Sequence, residues 1–246
     1  MGSWLKGRHI ALGVGGGIAA YKTCDLVREY QRQGATVRVA MTKAAAEFIT
    51  PLSLQALSGH PVHIDSFDLQ QESRYGHLDL ARWADVFVVA PATADLLARI
   101  RAGMANDAVT TPLLAFRGPV LLAPAMNTAM WENELTQENV RALLSLPRMR
   151  MVGPGVGALA DGDVGAGRLA DLKDIIEATS ALSALGPLSG KRVLITAGPT
   201  REPMDPVRFG SALRAINPVF WDNITIAAGS VNPPTATSVS GCGESP

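Results

Sequence analysis

A cluster of glycines follows the first apolar segment of the chain and restricts how this region can fold. Residues 10–14 form an apolar run typical of a buried strand, and glycines at 15–17 lead into an Ala-rich segment predicted as a helix. A strand that turns directly into a helix directs the first free N–H groups to one point, which favours a phosphate. The spacing is not Gly-x-Gly-x-x-Gly, so no dinucleotide is inferred. The turn indicates either a phosphate site or a tight βα turn without a ligand.

The apolar segments beyond this turn predict the fold class. Strand-like runs alternate with helical periodicity, and residues 85–90 are apolar throughout after Asp85, as a central parallel strand is. This alternation predicts an α/β fold with a doubly wound open parallel sheet, a flavodoxin-like or Rossmann-like three-layer sandwich. Strands are predicted at residues 10–14, 36–41, 61–65, 85–90, 119–124 and 150–152. Helices are predicted at residues 19–33, 44–48, 78–83, 91–103, 109–115, 134–146 and 172–185, with another beginning at Pro51, and a glycine-rich loop at 153–167.

The chain changes character near Gly186, which predicts a domain over residues 1–186 and a short carboxyl-terminal appendage over 187–246. Residues 188–200 resemble a fresh strand and glycine turn. The remainder carries two Asn-Pro pairs, a Pro-Pro pair and a tail of Ser, Thr and Gly, so it is predicted to be poorly ordered, with residues 224–228 as a candidate edge strand.

The charge and cysteine content exclude several classes of protein. Lys and Arg balance Asp and Glu at 22 each, which predicts neither a nucleic-acid nor a membrane-surface partner. Two distant cysteines, Cys24 and Cys242, favour a reducing compartment over a disulfide framework, and no zinc-like spacing occurs. No apolar stretch is long enough to span a bilayer. A cytoplasmic protein without a metal is the resulting expectation.

The candidate site residues follow predicted strands, where ligands of such sheets bind. His77 lies in a glycine-flanked loop, where it could exchange a proton near neutral pH or serve as an ordinary surface or capping histidine. Asn127 directly follows a predicted strand, and its amide can hold a substrate carboxylate or amide. The nearby Met130 offers apolar surface that suits a flat ring or simple core packing.

Three further polar features each allow two interpretations. Thr93 could cap a helix or bind a ligand, and the two are equally weighted. Asn106 and Asp107 could serve a subunit contact, the site or a helix cap. Arg168 ends a glycine-rich segment that suits either a mobile clamp over an anionic substrate or an ordinary surface loop.

Six sequence blocks occur together in one order and carry a family resemblance. They are Gly-Gly-Ile-Ala-Ala-Tyr-Lys, Ala-Ala-Glu-Phe-Ile-Thr-Pro-Leu-Ser-Leu-Gln-Ala-Leu-Ser-Gly, Gly-His-Leu-Asp-Leu-Ala-Arg-Trp-Ala-Asp, Pro-Ala-Thr-Ala-Asp, Ala-Gly-Met-Ala-Asn-Asp and Pro-Ala-Met-Asn-Thr-Ala-Met-Trp. Over roughly its first three quarters the chain resembles the flavin-dependent cysteine decarboxylases, and among them the phosphopantothenoylcysteine decarboxylase half of the bifunctional coenzyme A biosynthesis flavoproteins.

The resemblance implies an FMN cofactor, a homo-trimer or dodecamer, and specific residue roles. The implied FMN contacts are Gly16, Gly17, Ile18, Thr42, Thr93, Ala94, Asp95, Leu96 and Ala125. The implied catalytic residues are His77, Asn127 and Asp161, and the implied substrate contacts are Asn127, Met130 and Arg168.

The resemblance also implies the reaction, which converts 4′-phosphopantothenoylcysteine into 4′-phosphopantetheine. The flavin oxidises the thiol-bearing carbon, the resulting thioaldehyde loses carbon dioxide, and the hydride is returned to the enethiol. Two alternatives stay open: a flavin-binding regulatory or scaffold subunit, and a decarboxylase of another substrate with a carboxyl-terminal cysteine.

Two departures from the family pattern affect these expectations. Asp161 stands where the coenzyme A enzymes usually carry a cysteine that donates the proton for the final reduction. A carboxyl group can replace it only if its pKa is raised, so decarboxylation is expected to proceed while the reductive step is slow or altered. Residues 191–209 resemble the opening of the ligase half, but the sequence then diverges, so no ligase activity is expected.

Overall fold

The computed structural model describes residues 5–64, 78–158, 162 and 164–183, with the backbone of 200–203 and 209–212. The chain divides into two units, Met1–Leu185 and Gly186–Pro246. His77, Asp161, nearly all of the predicted strand at 188–200 and the candidate strand at 224–228 lie outside the described residues.

The first unit is built on a five-stranded sheet in which every neighbouring pair of strands is parallel. The strands are β1 (His9–Val14), β2 (Thr36–Met41), β3 (Val86–Ala92), β4 (Val120–Pro124) and β5 (Met149–Met151). Their order is β2-β1-β3-β4-β5. Leu12 at the middle of β1 lies opposite Val39 of β2 and Val88 of β3. The predicted doubly wound parallel sheet is therefore confirmed.

Helices cover both faces of this sheet, which explains why its strands are apolar on both sides. After a 3-10 helix (Ile18–Lys22) they are α1 (Thr23–Arg32), α2 (Lys43–Ala46), α3 (Pro51–Ser58), α4 (Asp79–Trp83), α5 (Ala94–Arg101), α6 (Thr110–Ala115), α7 (Thr128–Glu132), α8 (Glu134–Leu144) and α9 (Leu172–Ser183). Val88 faces the core formed with α1, α3 and α9, whereas its neighbours Phe87 and Val89 face the core formed with α4, α5, α6 and α8. This alternation follows from the two-residue period of a strand.

Two predicted local structures are wrong, and two predicted helices begin later than expected. Over its described residues, 61–64, the predicted strand at 61–65 is reduced to one isolated bridge between His63 and Ala40, since Pro61 has no N–H to donate to a ladder. The predicted loop at 153–167 instead contains an antiparallel hairpin of β6 (Gly155–Ala158) and β7 (Val164–Arg168). The predicted helix at 19–33 is confirmed as α1 from Thr23 onwards, after the 3-10 segment. The helix predicted at 91–103 begins at Ala94, because β3 continues to Ala92.

The described part of the second unit is one short antiparallel pair of strands. Its members are β8 (Thr200–Pro203) and β9 (Phe209–Ala212), and Thr200 lies opposite Ala212. Across the described parts of both units, every helix is too short or too polar to cross a lipid bilayer.

Candidate functional site

A cavity of about 790 Å³ lies at the carboxyl ends of β1, β3 and β4. β1 and β3 are neighbours in the sheet but not consecutive in the chain, so the strand order reverses at this point. Such a reversal leaves a crevice because the connections on its two sides cross opposite faces of the sheet. The fold therefore creates the cavity before any particular side chain shapes it.

Most of the residues predicted for cofactor and substrate line this single cavity. They are Gly16, Gly17, Ile18, Thr42, Thr93, Ala94, Asp95, Ala125, Asn127, Met130 and Arg168. Leu96 does not line it, because its side chain is fully buried in the core on the α5 side of the sheet. Tyr21, Lys22, Ala44 and Arg99 also line the cavity and were not predicted. The spacing of Tyr21 four residues after Gly17 could have indicated one of them.

The three glycines of the turn at the floor of the cavity have different surroundings. A Cβ on Gly15 would meet the carbonyl oxygen of Pro91, and one on Gly16 would meet Ala44. A Cβ on Gly17 would meet only Thr93 Cγ2, at 3.6 Å. The first two glycines are thus required by packing within the protein, and Gly17 faces room for a ligand.

The 3-10 helix that follows the turn begins among the residues that line the cavity. The first intrahelical hydrogen bond is donated by the Ala20 N–H to the Gly17 carbonyl at 2.9 Å. The preceding N–H groups of Ile18 and Ala19 have no partner within the helix, which is the arrangement that binds a phosphate.

Two threonines of the cavity wall act as helix caps. Thr42 Oγ1 accepts from the Ala45 N–H at 3.1 Å, and Thr93 Oγ1 accepts from the Leu96 N–H at 3.2 Å. The capping interpretation of Thr93 is therefore confirmed. Because each hydroxyl oxygen accepts in its cap, its own O–H can still donate towards a ligand.

Asn127 lies at the start of α7, which the sequence did not predict. Its side-chain oxygen accepts from the Ala129 N–H at 2.7 Å and caps this helix. One turn further on, Met130 is 50% exposed, and Ile18 is 60% exposed. The cavity wall thus combines a held amide with exposed apolar side chains that suit a flat ring.

The hairpin of β6 and β7 closes one side of the cavity. The Met126 N–H donates to the Gly167 carbonyl at 2.9 Å, and a Cβ on Gly165 would approach Thr128 Oγ1 to 2.5 Å. Arg168 donates from Nη2 to Asp171 at 2.7 Å, while its buried Nε has no protein partner within the described part of the chain. An unpaired buried guanidinium N–H at a cavity wall is a donor suited to an anion.

Arg99 forms the charged part of the opposite wall. It donates to Asp95 from Nε at 3.0 Å and from Nη2 at 2.8 Å, and it also pairs with Asp107. Burial lowers the pKa of Arg99, but hydrogen bonds with Asp107 and Asp95 outweigh it and raise the pKa overall. Burial raises the pKa of Asp107, but bonds from Thr110 and Arg99 lower it overall. Arg99 and Asp107 are therefore both ionised at neutral pH.

Asp107 acts as a helix cap, which is one of the three roles that the sequence left open for it. Its Oδ1 accepts from the Val109 N–H at 2.9 Å and from the Thr110 N–H at 2.7 Å, so it caps the start of α6. Elsewhere in the described ranges, no group of three or more His, Cys, Asp or Glu side chains is arranged to hold a metal ion.

The cavity has the features that FMN requires. Free helix N–H groups and the space beside Gly17 suit its phosphate, and the exposed Ile18 and Met130 suit a planar ring. The partly exposed guanidinium of Arg168 is a donor suited to a second anion. The residues present therefore fit the cofactor that the sequence resemblance implies.

Comparisons with known proteins agree with this geometry. Residues 3–183 match the family model described as Flavoprotein, and residues 188–213 match the model of the DNA/pantothenate metabolism flavoprotein C-terminal domain. The chain is 51% identical over 205 residues to the coenzyme A biosynthesis bifunctional protein CoaBC of Vibrio vulnificus. That match covers 83% of this chain and 51% of the relative, so the chain spans about half the length of the curated relatives it matches.

Two solved structures are similar over nearly their whole length. A PPC decarboxylase variant in complex with pantothenoylaminoethenethiol shares 30% identity and a TM-score of 0.63, covering 71% of this chain and 97% of that one. The FMN-dependent cysteine decarboxylase SpaF shares 31% identity and a TM-score of 0.62, covering 73% of this chain and 99% of that one.

Proposed function

Because this chain belongs to the Flavoprotein family, we propose that it is an FMN-dependent decarboxylase that converts 4′-phosphopantothenoylcysteine into 4′-phosphopantetheine in coenzyme A biosynthesis. The observation that carries the proposal is one cavity that gathers the residues expected for both cofactor and substrate. Its position where the strand order reverses supports a ligand site on grounds independent of the comparisons.

The proposed FMN site uses the glycine turn and the walls beside it. The N–H groups of Ile18 and Ala19 would hold the phosphate, together with the hydroxyls of Thr42 and Thr93. Ile18 and Ala94 would flank the ring. When bound, FMN supplies a reversible acceptor for the hydride of the substrate.

The proposed substrate site lies beside Asn127 and the hairpin. Asn127 would bind the cysteine carboxylate, held in place by the bond between its oxygen and the Ala129 N–H. Arg168 would pair its guanidinium with an anionic group of the substrate, and Met130 would pack against the apolar chain. His77 would take the proton of the substrate thiol, a role suited to imidazole near neutral pH.

Asp161 is the proposed proton donor of the final reduction, and its carboxyl group is expected to limit the rate of that step. An ordinary carboxyl group has a pKa of about 4, so little of it is protonated at neutral pH. We therefore propose that loss of carbon dioxide proceeds normally in the first turnover, while release of 4′-phosphopantetheine is slow and limits later turnovers. Replacement of the carboxyl group by a thiol, in Asp161→Cys, is expected to accelerate formation of the reduced product without changing the rate at which carbon dioxide is released in the first turnover.

The deciding experiment mixes the purified, FMN-loaded protein anaerobically with 4′-phosphopantothenoylcysteine. Carbon dioxide, 4′-phosphopantetheine and the flavin spectrum are followed together, and other substrates with a carboxyl-terminal cysteine are tested in parallel. Release of carbon dioxide with transient bleaching of the flavin is expected. Bound FMN with neither bleaching nor carbon dioxide from any of these substrates would favour a scaffold subunit, an alternative that the aspartate at 161 keeps open.

A matched variant tests whether the substrate binds in this cavity. Asn127→Asp retains the oxygen that caps α7 but replaces the amide donor with a negative charge facing the substrate carboxylate. Thermal stability is expected to stay close to that of the parent, while the KM for the substrate rises by an order of magnitude or more. Unchanged kinetics would place the substrate elsewhere.

We also propose that the protein assembles as a homo-trimer or a dodecamer. Ile18, Tyr21 and Met130 line the cavity and are 60%, 57% and 50% exposed, which supports a contact that covers them. Light scattering coupled to size-exclusion chromatography measures the mass directly, and a monomeric mass would contradict the proposal.

A further inference from the structure

Arg99 connects two carboxylates that come from different parts of the chain. Its Nε and Nη2 both donate to one oxygen of Asp95, at 3.0 and 2.8 Å, and its Nη1 pairs with Asp107. The Arg99 side chain is 19% exposed and that of Asp107 is 13% exposed, whereas that of Asp95 is 75% exposed. The network therefore runs from a buried anchor to a carboxylate at the cavity.

Asp107 provides a firm anchor for this network. Its second oxygen accepts from the N–H groups of Val109 and Thr110 and from the Thr110 hydroxyl, at 2.7 to 2.9 Å. A carboxylate held by three donors at the start of α6 has little freedom to move. Arg99 extends from this fixed point to α5, where Asp95 lies one helical turn before it.

Asp95 is held through only one of its two oxygens. Both bonds from Arg99 reach Oδ2, and no described residue donates to Oδ1. Asp95 and Arg99 both line the cavity, but Asp107 does not. A carboxylate fixed through one oxygen at a cavity wall presents the other as an oriented acceptor for an O–H or N–H group.

We propose that Arg99 is a positioning residue that, anchored by Asp107, orients the Asp95 carboxylate to accept a hydrogen bond from an O–H or N–H group of FMN. The inference rests on the proposed function, because it takes FMN as the ligand of the cavity. Arginine is suited to the role because its planar fork can bond two carboxylates at once, which a lysine ammonium does with less directional control.

The test titrates the cofactor-free protein with FMN and follows the flavin fluorescence, so it requires no turnover. Arg99→Met and Asp95→Ala are each expected to raise the dissociation constant for FMN roughly tenfold, the loss of one charge-assisted hydrogen bond. The double variant should bind no more weakly than Asp95→Ala alone, because Arg99 acts through Asp95. Arg99→Lys should recover part of the affinity.

Two further variants separate positioning from general loss of charge or fold. Arg101→Met removes the same charge from the same helix, but Arg101 is exposed and makes no ion pair within the described ranges, so FMN binding should not change. Asp107→Asn keeps a side chain that caps α6 but weakens the anchor, so affinity should fall although residue 107 lies outside the cavity. If Arg99→Met does not fold, Arg99→Lys and Asp107→Asn make the same comparison.

The outcomes distinguish this inference from the function on which it rests. Equal FMN affinity of Arg99→Met, Arg101→Met and the parent would overturn the positioning role and leave the proposed function intact. Additive losses in the double variant would also overturn it, because Arg99 would then act on FMN directly. A parent protein that binds no FMN would overturn the proposed function and the inference together.

Discussion

The backbone N–H of Met126 donates a 2.9 Å hydrogen bond to the carbonyl of Gly167, which joins the loop before Asn127 to the second strand of the hairpin. Gly167 has φ of +147°, and a Cβ there would overlap the carbonyl oxygen of Met126. Backbone cannot move aside as a flexible side chain can. The contact therefore fixes the base of the hairpin against the proposed substrate site.

The first prediction concerns this contact. Gly167→Ala is expected to lower the free energy of unfolding by about 1–3 kcal/mol, the cost of a strained backbone conformation. It should also raise the KM for the substrate, because the hairpin shifts away from Asn127. Urea unfolding and steady-state kinetics measure the two effects. Gly155→Ala is the control in the same hairpin, since its nearest neighbour would be 3.6 Å away, and equal behaviour of both variants would contradict the prediction.

The second prediction separates two adjacent glycines of the cavity floor. Gly16→Ala places a methyl group against Ala44, so overpacking should cost about 1–3 kcal/mol of stability. Gly17 has φ of −170°, which any residue adopts, and its added methyl group would meet only Thr93 at 3.6 Å. Gly17→Ala should therefore fold with unchanged stability but bind FMN weakly, because the methyl group occupies the space proposed for the phosphate.

Thermal unfolding and FMN titration of the two variants test this separation. The pattern expected is a stability loss confined to Gly16→Ala and an affinity loss without stability loss in Gly17→Ala. Normal FMN binding by Gly17→Ala would show that the phosphate does not lie at this turn.

The sheet and its flanking helices could be predicted because their buried positions follow a simple pattern of apolar residues. β3 is apolar without interruption, and both of its faces are covered by helices. The hairpin of β6 and β7 could not be predicted in the same way. Glycine-rich strands have little side-chain pattern, and this hairpin lies against Met126 and Thr128, which are distant in sequence.

The candidate site could also be predicted only in part from the sequence. Residues that follow strands, such as Thr42 and Asn127, could be assigned to one edge of the sheet because parallel strands end together. Arg99 could not, since an Asp and an Arg four residues apart are typical of an exposed helical ion pair. Only the folded chain brings Asp107 to the other side of its guanidinium.

The third prediction is a pH dependence of stability that arises from His63. Burial lowers its pKa, the positive charge of Arg38 lowers it further, and Asp79 opposes this in part. The folded state thus binds a proton less readily than the unfolded state, whose histidine has a pKa near 6.5. The stabilisation is complete above pH 6.5 and is lost as the pH falls towards the lower folded pKa.

Urea unfolding of the parent and of His63→Gln between pH 7.5 and 5 measures this contribution. The variant is expected to lose less free energy of unfolding over that range than the parent. Burial and Arg38 also lower the pKa of His60, so this histidine contributes to the pH dependence that remains in His63→Gln. The variant His60→Gln measures that contribution separately. Parallel curves for the parent and His63→Gln would contradict the assignment.

The last prediction concerns a buried hydrogen bond between α1 and α9. The Tyr30 hydroxyl lies 2.7 Å from Thr179 Oγ1, both residues are fully buried, and burial raises the pKa of Tyr30, which keeps the phenol neutral. Thr179 donates its one hydroxyl proton to the Ile175 carbonyl at 2.8 Å, so Tyr30 must be the donor to Thr179. This direction makes the two partners unequal.

The variant Tyr30→Phe leaves Thr179 bonded to Ile175 and should lower the free energy of unfolding by about 1 kcal/mol. The variant Thr179→Val leaves the tyrosine hydroxyl buried without an acceptor and should lower it by about 1–3 kcal/mol. In the double variant no donor is stranded, so urea unfolding should give a total loss smaller than the sum of the two single losses. Equal single losses that add in the double variant would show that the hydroxyl of Tyr30 finds another acceptor, and the assigned direction of the bond would then be wrong.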